Sequence, residues 1–205
     1  MTIEKSILSI FARALHCRLM VAAVLAVTLI IAGCVSTPPR RPDNACKIFA
    51  QKPSWHKHTR RAAKKWRADA AVLLAIMRQE SGFDANARPK RKRFLGIPLK
   101  RPSSAFGYAQ ALDGTWRLYK KSAGSFLAQR DRFSDAMDFI GWYVAQTRKR
   151  LNIPAHDGYR NYLAYHEGWQ GYARGTYKRK KWLISTAKRV AHRAAQYRAQ
   201  LARCG

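Results

Sequence analysis

Downstream of Cys34 the chain contains only two glutamates, Glu80 and Glu167, and each stands in a motif-like setting. Glu80 lies in Arg78-Gln79-Glu80-Ser81-Gly82-Phe83 and follows Leu73 and Met77 by two turns and one turn of a helix. That spacing puts the carboxyl on the edge of an apolar stripe, where partial burial raises its pKa toward neutrality. A carboxyl of that kind is suited to general acid chemistry, such as protonating the leaving oxygen of a glycosidic bond while the sugar takes on oxocarbenium character. A hydrolase ordinarily adds a second carboxylate, and Glu167, Asp84 and Asp113 are the available candidates. For Glu167 the plainer reading, a helix-end residue paired with one of the many arginines, carries more weight.

The elements that must position these groups read as helical. Strand-like alternation is scarce, while apolar residues recur at three- and four-residue spacing. A helix is expected from Ser54, as N-cap, to about Trp66, and a second begins after Asp69 and is stopped by Ser81-Gly82. Further helices are expected near 113–122, 134–150, 158–167 and 178–202, the last packing an apolar face on the core. The stretch from Ala87 to Gly107 is rich in Pro, Lys and Arg and is expected to form an irregular or hairpin-like flap. The fold class is therefore mainly α, a single helical domain with the acid at the end of a core helix.

Two more blocks follow Glu80 in order. One is Ser103-Ser104-Ala105-Phe106-Gly107-Tyr108-Ala109-Gln110, and the other is Tyr162-Leu163-Ala164-Tyr165-His166-Glu167-Gly168. Together with the Glu-Ser-x-Phe segment they resemble the lytic transglycosylases with a goose-lysozyme-like catalytic domain, over roughly Trp55 to Lys188. The resemblance implies a lysozyme-like α+β variant of the helical fold and cleavage of the MurNAc-GlcNAc β-1,4 bond of peptidoglycan without water. It implies Glu80 as the catalytic acid and then base, with Ser81 supporting it. Gly107, Tyr108 and Gln110 would line the groove, and Tyr165 would stand beside the scissile bond. His166, where the family usually has Asn, and Glu167 complete the candidate substrate contacts. Tyr108-Ala109 depart from the family's Leu-Met.

Aromatic residues crowd the last third of the chain, and rings stack well on sugar faces. Those at helical spacing are mostly expected in the core, so Tyr165 leads and Trp169 follows as groove candidates. The histidines form no metal motif, and neither a metal nor any other cofactor is expected.

The chain has 205 residues, with 40 Lys+Arg against 11 Asp+Glu, a net charge of +29. So basic a protein seeks polyanions or anionic surfaces. The N-terminus selects among them. Lys5, Arg13 and Arg18 precede the apolar run Leu19 to Ile31, too short to span a bilayer and typical of an export signal. Ile31-Ala32-Gly33-Cys34 resembles a bacterial lipobox, in which Cys34 is lipidated after cleavage. Residues 1–33 are thus expected to be a signal peptide, 34–53 a Pro- and Arg-rich tether, and 54–205 the domain. Export argues against nucleic acid as partner and favours peptidoglycan strands, with a lipid anchor facing the periplasm and Val35 pointing to the outer membrane. Cys46 and Cys204 remain as an even pair, expected to form a disulfide in an oxidising compartment. Two rival functions stay open: a hydrolytic muramidase, and a catalytically silent cationic wall-binding lipoprotein.

Overall fold

Asp69 shows how the central element of the fold is set. Its Oδ1 accepts hydrogen bonds from the backbone N–H groups of Ala71 at 2.8 Å and Val72 at 3.2 Å. Two otherwise unpaired amides of the next helix are satisfied in this way. That helix, Ala70–Ser81, buries every residue from Ala71 to Met77. A helix apolar all round must be surrounded, and it is packed by four of the other helices.

The computed structural model describes residues 37–204 apart from Lys92. The expected signal peptide 1–33, the lipobox Cys34 and the start of the tether lie outside the described residues. From Thr37 onward the chain is one compact unit. Seven α-helices are described: α1 Ala45–Gln51, α2 Pro53–Trp66, α3 Ala70–Ser81, α4 Asp113–Ser122, α5 Phe133–Leu151, α6 Gly158–Ala173 and α7 Lys181–Cys204. A 3₁₀ turn, Thr176–Arg179, joins α6 to α7. The only sheet among the described residues is an antiparallel hairpin, β1 Arg93–Phe94 with β2 Ile97–Pro98, inside the basic flap. The mainly helical fold expected from the periodicity is the fold observed.

Two boundaries differ from the sequence reading. Residues 45–51, placed in the tether by their Pro- and Arg-rich surroundings, form α1, whose Ala45 and Ile48 are fully buried. Asn44 starts it by accepting from the Lys47 N–H at 3.0 Å. Ser54 lies inside α2 and is not its N-cap; Lys52 holds that place, and Pro53 opens the helix, where its missing N–H is no loss.

The core has two aromatic centres. Trp55 of α2 stacks on Phe133 of α5 with centroids 4.0 Å apart, and Tyr108 meets both rings edge-on. Trp116, Tyr119, Phe139 and Trp142 form the second centre between α4 and α5. The first and last of the described helices are joined. Cys46 is disulfide-bonded to Cys204, with Cα atoms 5.8 Å apart across 158 residues of sequence. In the chain-entropy account, a loop of that length stabilises the fold by about 5 kcal/mol. Beside the bridge, Gln200 of α7 accepts from the Ala45 N–H at 2.7 Å and donates to the Asp43 carbonyl at 3.3 Å.

Candidate active site

Glu80 is the penultimate residue of α3, and the three residues after Glu80 turn the chain away from the helix. Ser81 Oγ donates to the Met77 carbonyl at 3.3 Å and accepts from the Phe83 N–H at 3.1 Å, so its hydroxyl stitches the helix end. Gly82 caps the helix at φ 63°, and Phe83 follows at φ 68°. A left-handed conformation costs a residue with a Cβ about 1–2 kcal/mol. Phe83 holds it because its ring is fully buried, 5.8 Å from Trp55. Asp84 then closes the turn by accepting from the Asn86 N–H at 2.8 Å.

The second block is held by close backbone approach. Gly107 adopts φ 74°, and a Cβ there would lie 2.2 Å from the Arg130 carbonyl oxygen. No other residue fits without moving that strand of chain. Its N–H donates to the Ala87 carbonyl at 3.0 Å, and the Tyr108 N–H donates to the Arg130 carbonyl at 3.1 Å. Tyr108 is buried in the Trp55–Phe133 aromatic centre, so its ring serves the core. Gln110 is half-buried and donates from Nε2 to the carbonyls of Ala87 at 2.8 Å and Gly107 at 2.9 Å. Those two bonds tie the base of the flap to the block.

The third block brings α6 against Glu80. Tyr162 and Tyr165, one turn apart, share a face of α6. The Tyr162 hydroxyl lies near the Glu80 carboxyl and acts on it as a hydrogen-bond donor, lowering its pKa. Tyr165 donates to the Ala109 carbonyl at 2.6 Å and packs against Tyr143 with centroids 4.8 Å apart. Burial dominates the electrostatics. It pushes the Glu80 carboxyl up to about 7, opposed only in part by the Tyr162 hydroxyl. Burial, and then the nearby Glu80 charge, push both tyrosine hydroxyls above their ordinary range, so they remain protonated donors.

Glu167 lives in another environment. Burial would raise its pKa, but hydrogen bonds from Lys180, Thr176 and His166 hold it down at about 2. Lys180 Nζ lies 2.7 Å from Oε1, and His166 Nδ1 3.1 Å from the same oxygen. Gly168 breaks α6 immediately afterwards, with φ 73° and ψ 161°, a conformation open essentially to glycine alone. A cavity of about 180 Å³ opens here, lined by Gln110, Thr115, Tyr143, Tyr165, His166 and Glu167. A larger depression of about 280 Å³ lies elsewhere, between α2 and α5, and contains none of the residues singled out from the sequence.

Of the candidate set, Gln110, Tyr165, His166 and Glu167 therefore meet at one cavity, and Tyr165 stands close to Glu80. Ser81, Gly107 and Tyr108 shape the backbone and core behind it. Trp169 stacks on Tyr143 at 4.7 Å and donates to Thr147 Oγ1 at 3.0 Å, inside the packing of α5 on α6. Sequence reasoning missed Tyr162 as the partner of Glu80, although its place one helical turn before Tyr165 was the available signal. It also missed Lys180, reached only because Gly175 reverses the chain at φ 68°. Chemically, the arrangement offers a carboxyl half ionised near pH 7 beside phenolic donors, fit both to give a proton and to take one back.

The family described as "Transglycosylase SLT domain" matches residues 22–204. Among curated proteins nothing matches the chain.

Proposed function

The chain belongs to the transglycosylase SLT domain family, and from that premise we propose that it is a peptidoglycan lytic transglycosylase in which Glu80 acts first as acid and then as base. The observation that carries the reading is the environment of Glu80, a carboxyl raised to about 7 by burial with the Tyr162 hydroxyl upon it. Protonated Glu80 gives its proton to the glycosidic oxygen as the C1–O bond breaks and positive charge develops on the sugar. The resulting carboxylate then takes the proton of the same sugar's 6-hydroxyl as O6 closes on C1. A 1,6-anhydro end results, no water is consumed, and Glu80 is protonated again. Tyr165, beside Glu80 and the cavity, is placed to position the sugar at the bond being cleaved.

The other carboxylates support this over hydrolysis. Glu167 is engaged by Lys180, Asp84 caps its own turn, and Asp113 pairs with Arg130 at 2.8 Å. Each is occupied in holding structure, and a one-carboxylate mechanism asks nothing more of them.

We infer also that the protein is exported and anchored by lipid on Cys34, on the strength of the basic, apolar and Ala-Gly-Cys segments in order. Cys34→Ser is expected to move the protein from the membrane fraction to the soluble one. The function itself is tested by mass spectrometry of fragments released from purified sacculi by the protein and by Glu80→Gln. Anhydro ends that vanish in the variant support the proposal, hydrated reducing ends establish a muramidase, and release by neither protein leaves a wall-binding role.

A further inference from the structure

Helix α7 buries Leu183, Ala187, Val190, Ala194 and Tyr197, a regular apolar stripe against the core. Trp182 stands off that stripe and is 57% exposed. A lone exposed indole carries no message, but this one is tied to the site. Its ring meets the His166 imidazole edge-on at 5.1 Å, and the His166 ring lies 6.5 Å from Tyr162, the donor to Glu80. A line of rings thus runs from the acid to the surface of α7.

One further residue shares that face. Arg189, two turns after Trp182, is exposed, and its guanidinium donates to Ser185 Oγ at 3.0 Å and Thr186 Oγ1 at 2.8 Å. Thr186 in turn donates to the Trp182 carbonyl at 2.9 Å. These bonds use two of five guanidinium N–H groups. Among the described residues no carboxylate forms an ion pair with Arg189. Its positive charge nevertheless reaches Tyr162, whose hydroxyl it biases toward ionisation. A charged fork fixed by two neutral hydroxyls, within electrostatic reach of Tyr162 and without an ion-paired carboxylate among the described residues, is arranged for an anion that arrives from outside.

We propose that this face of α7 is a substrate wall, on which Trp182 stacks against a sugar ring next to His166 and Arg189 binds a carboxylate substituent of the same glycan. The proposal rests on the glycan reading above and adds what the wall selects, a strand whose sugars carry acidic side groups over a neutral one. Seven residues of helix separate the two side chains by about 10 Å along the axis. Ring and carboxylate can therefore belong to sugars about one disaccharide repeat apart.

The test compares binding of two soluble probes to the purified full-length Glu80→Gln protein, which holds glycan without cutting it. One probe is a GlcNAc–MurNAc oligosaccharide with free lactyl carboxylates, the other a chitooligosaccharide of equal length, and Kd is read by calorimetry. Expected is a preference for the acidic probe of about tenfold. Adding Arg189→Gln erases that preference and leaves chitooligosaccharide affinity unchanged, whereas Trp182→Ala weakens both probes about fivefold and Trp182→Phe restores most of it. Equal affinities for the two probes in the parent, no binding of either, or wall variants that bind like the parent would each overturn the wall. Loss of this proposal is separable from loss of the other. Release of anhydro ends by the Glu80 protein upholds the function whatever the wall does, and selective binding without release upholds the wall alone.

Discussion

Glu80 and Glu167 are the same residue type, each near the end of a helical segment and each within reach of tyrosines or hydroxyls, yet one titrates at about 7 and the other at about 2. Burial pushes both upward. The difference is the company: Glu80 has the phenol of Tyr162, whereas Glu167 has the Lys180 ammonium with Thr176 and His166. A neutral donor leaves the carboxyl able to hold a proton at working pH, and a cation takes that ability away. Two carboxyls with pKa values driven apart by their surroundings fit the proposed division, Glu80 as the reactive group and Glu167 as a structural one.

The contrast is sharpest in turnover. Glu80→Gln is expected to lower the release of anhydro ends about 10³-fold or more, while Glu167→Gln keeps it within a fewfold, both read on sacculi. The same assignment gives kcat/KM a limb that falls above about pH 7, as the free acid loses its proton.

Stability is next in size. Glu80 binds its proton more tightly folded than unfolded, so the stability it allows is complete below about pH 4.5 and declines through pH 7. Glu80→Gln is therefore expected to raise Tm relative to the native protein at pH 8, by up to ~3 kcal/mol in stability, with little difference at pH 4. A variant no more stable at pH 8 than the native protein would break the comparison. Glu167 runs the other way. Its stabilisation is present above about pH 4.5 and fades as pH falls toward 2. Because Lys180 is 41% exposed, Glu167→Gln is expected to cost only about 1–2 kcal/mol at pH 7, read by denaturant unfolding.

For the phenol the expected effect is chiefly a shift of the pH profile. Tyr162→Phe removes a bond that holds the Glu80 pKa down, so the alkaline limb should move to higher pH while the maximal rate drops about tenfold. A limb that stays in place or moves to lower pH would show that Tyr162 does not touch the acid.

The helical frame was largely legible in the sequence because its signals are local. Asp69 caps α3, apolar periodicity traces α4 and α5, and Gly82 ends the helix that bears the acid. What escaped depended on distant partners. Seven residues of α1 carry too short a pattern to stand out from the prolines and arginines before them, and they are helical because Ile48 and Phe49 find a core to enter. Tyr108 sits in a motif that suggested the groove, but Trp55 and Phe133, far away in sequence, draw its ring inward. For Glu167 an ion pair was expected and an ion pair is present, with a lysine beyond the chain reversal in place of an arginine.

The bridge between Cys46 and Cys204 gives the domain a load path. A pull along the chain from upstream of Thr37 meets a covalent bond at Cys46 and passes into the last turn of a 24-residue helix. Without the bridge the same pull would peel α1 away one hydrogen bond at a time, beginning at the Asn44 cap and the Gln200 contacts. Oxidised, the bridge makes α1 and the end of α7 share the pull, so that neither can be peeled away alone.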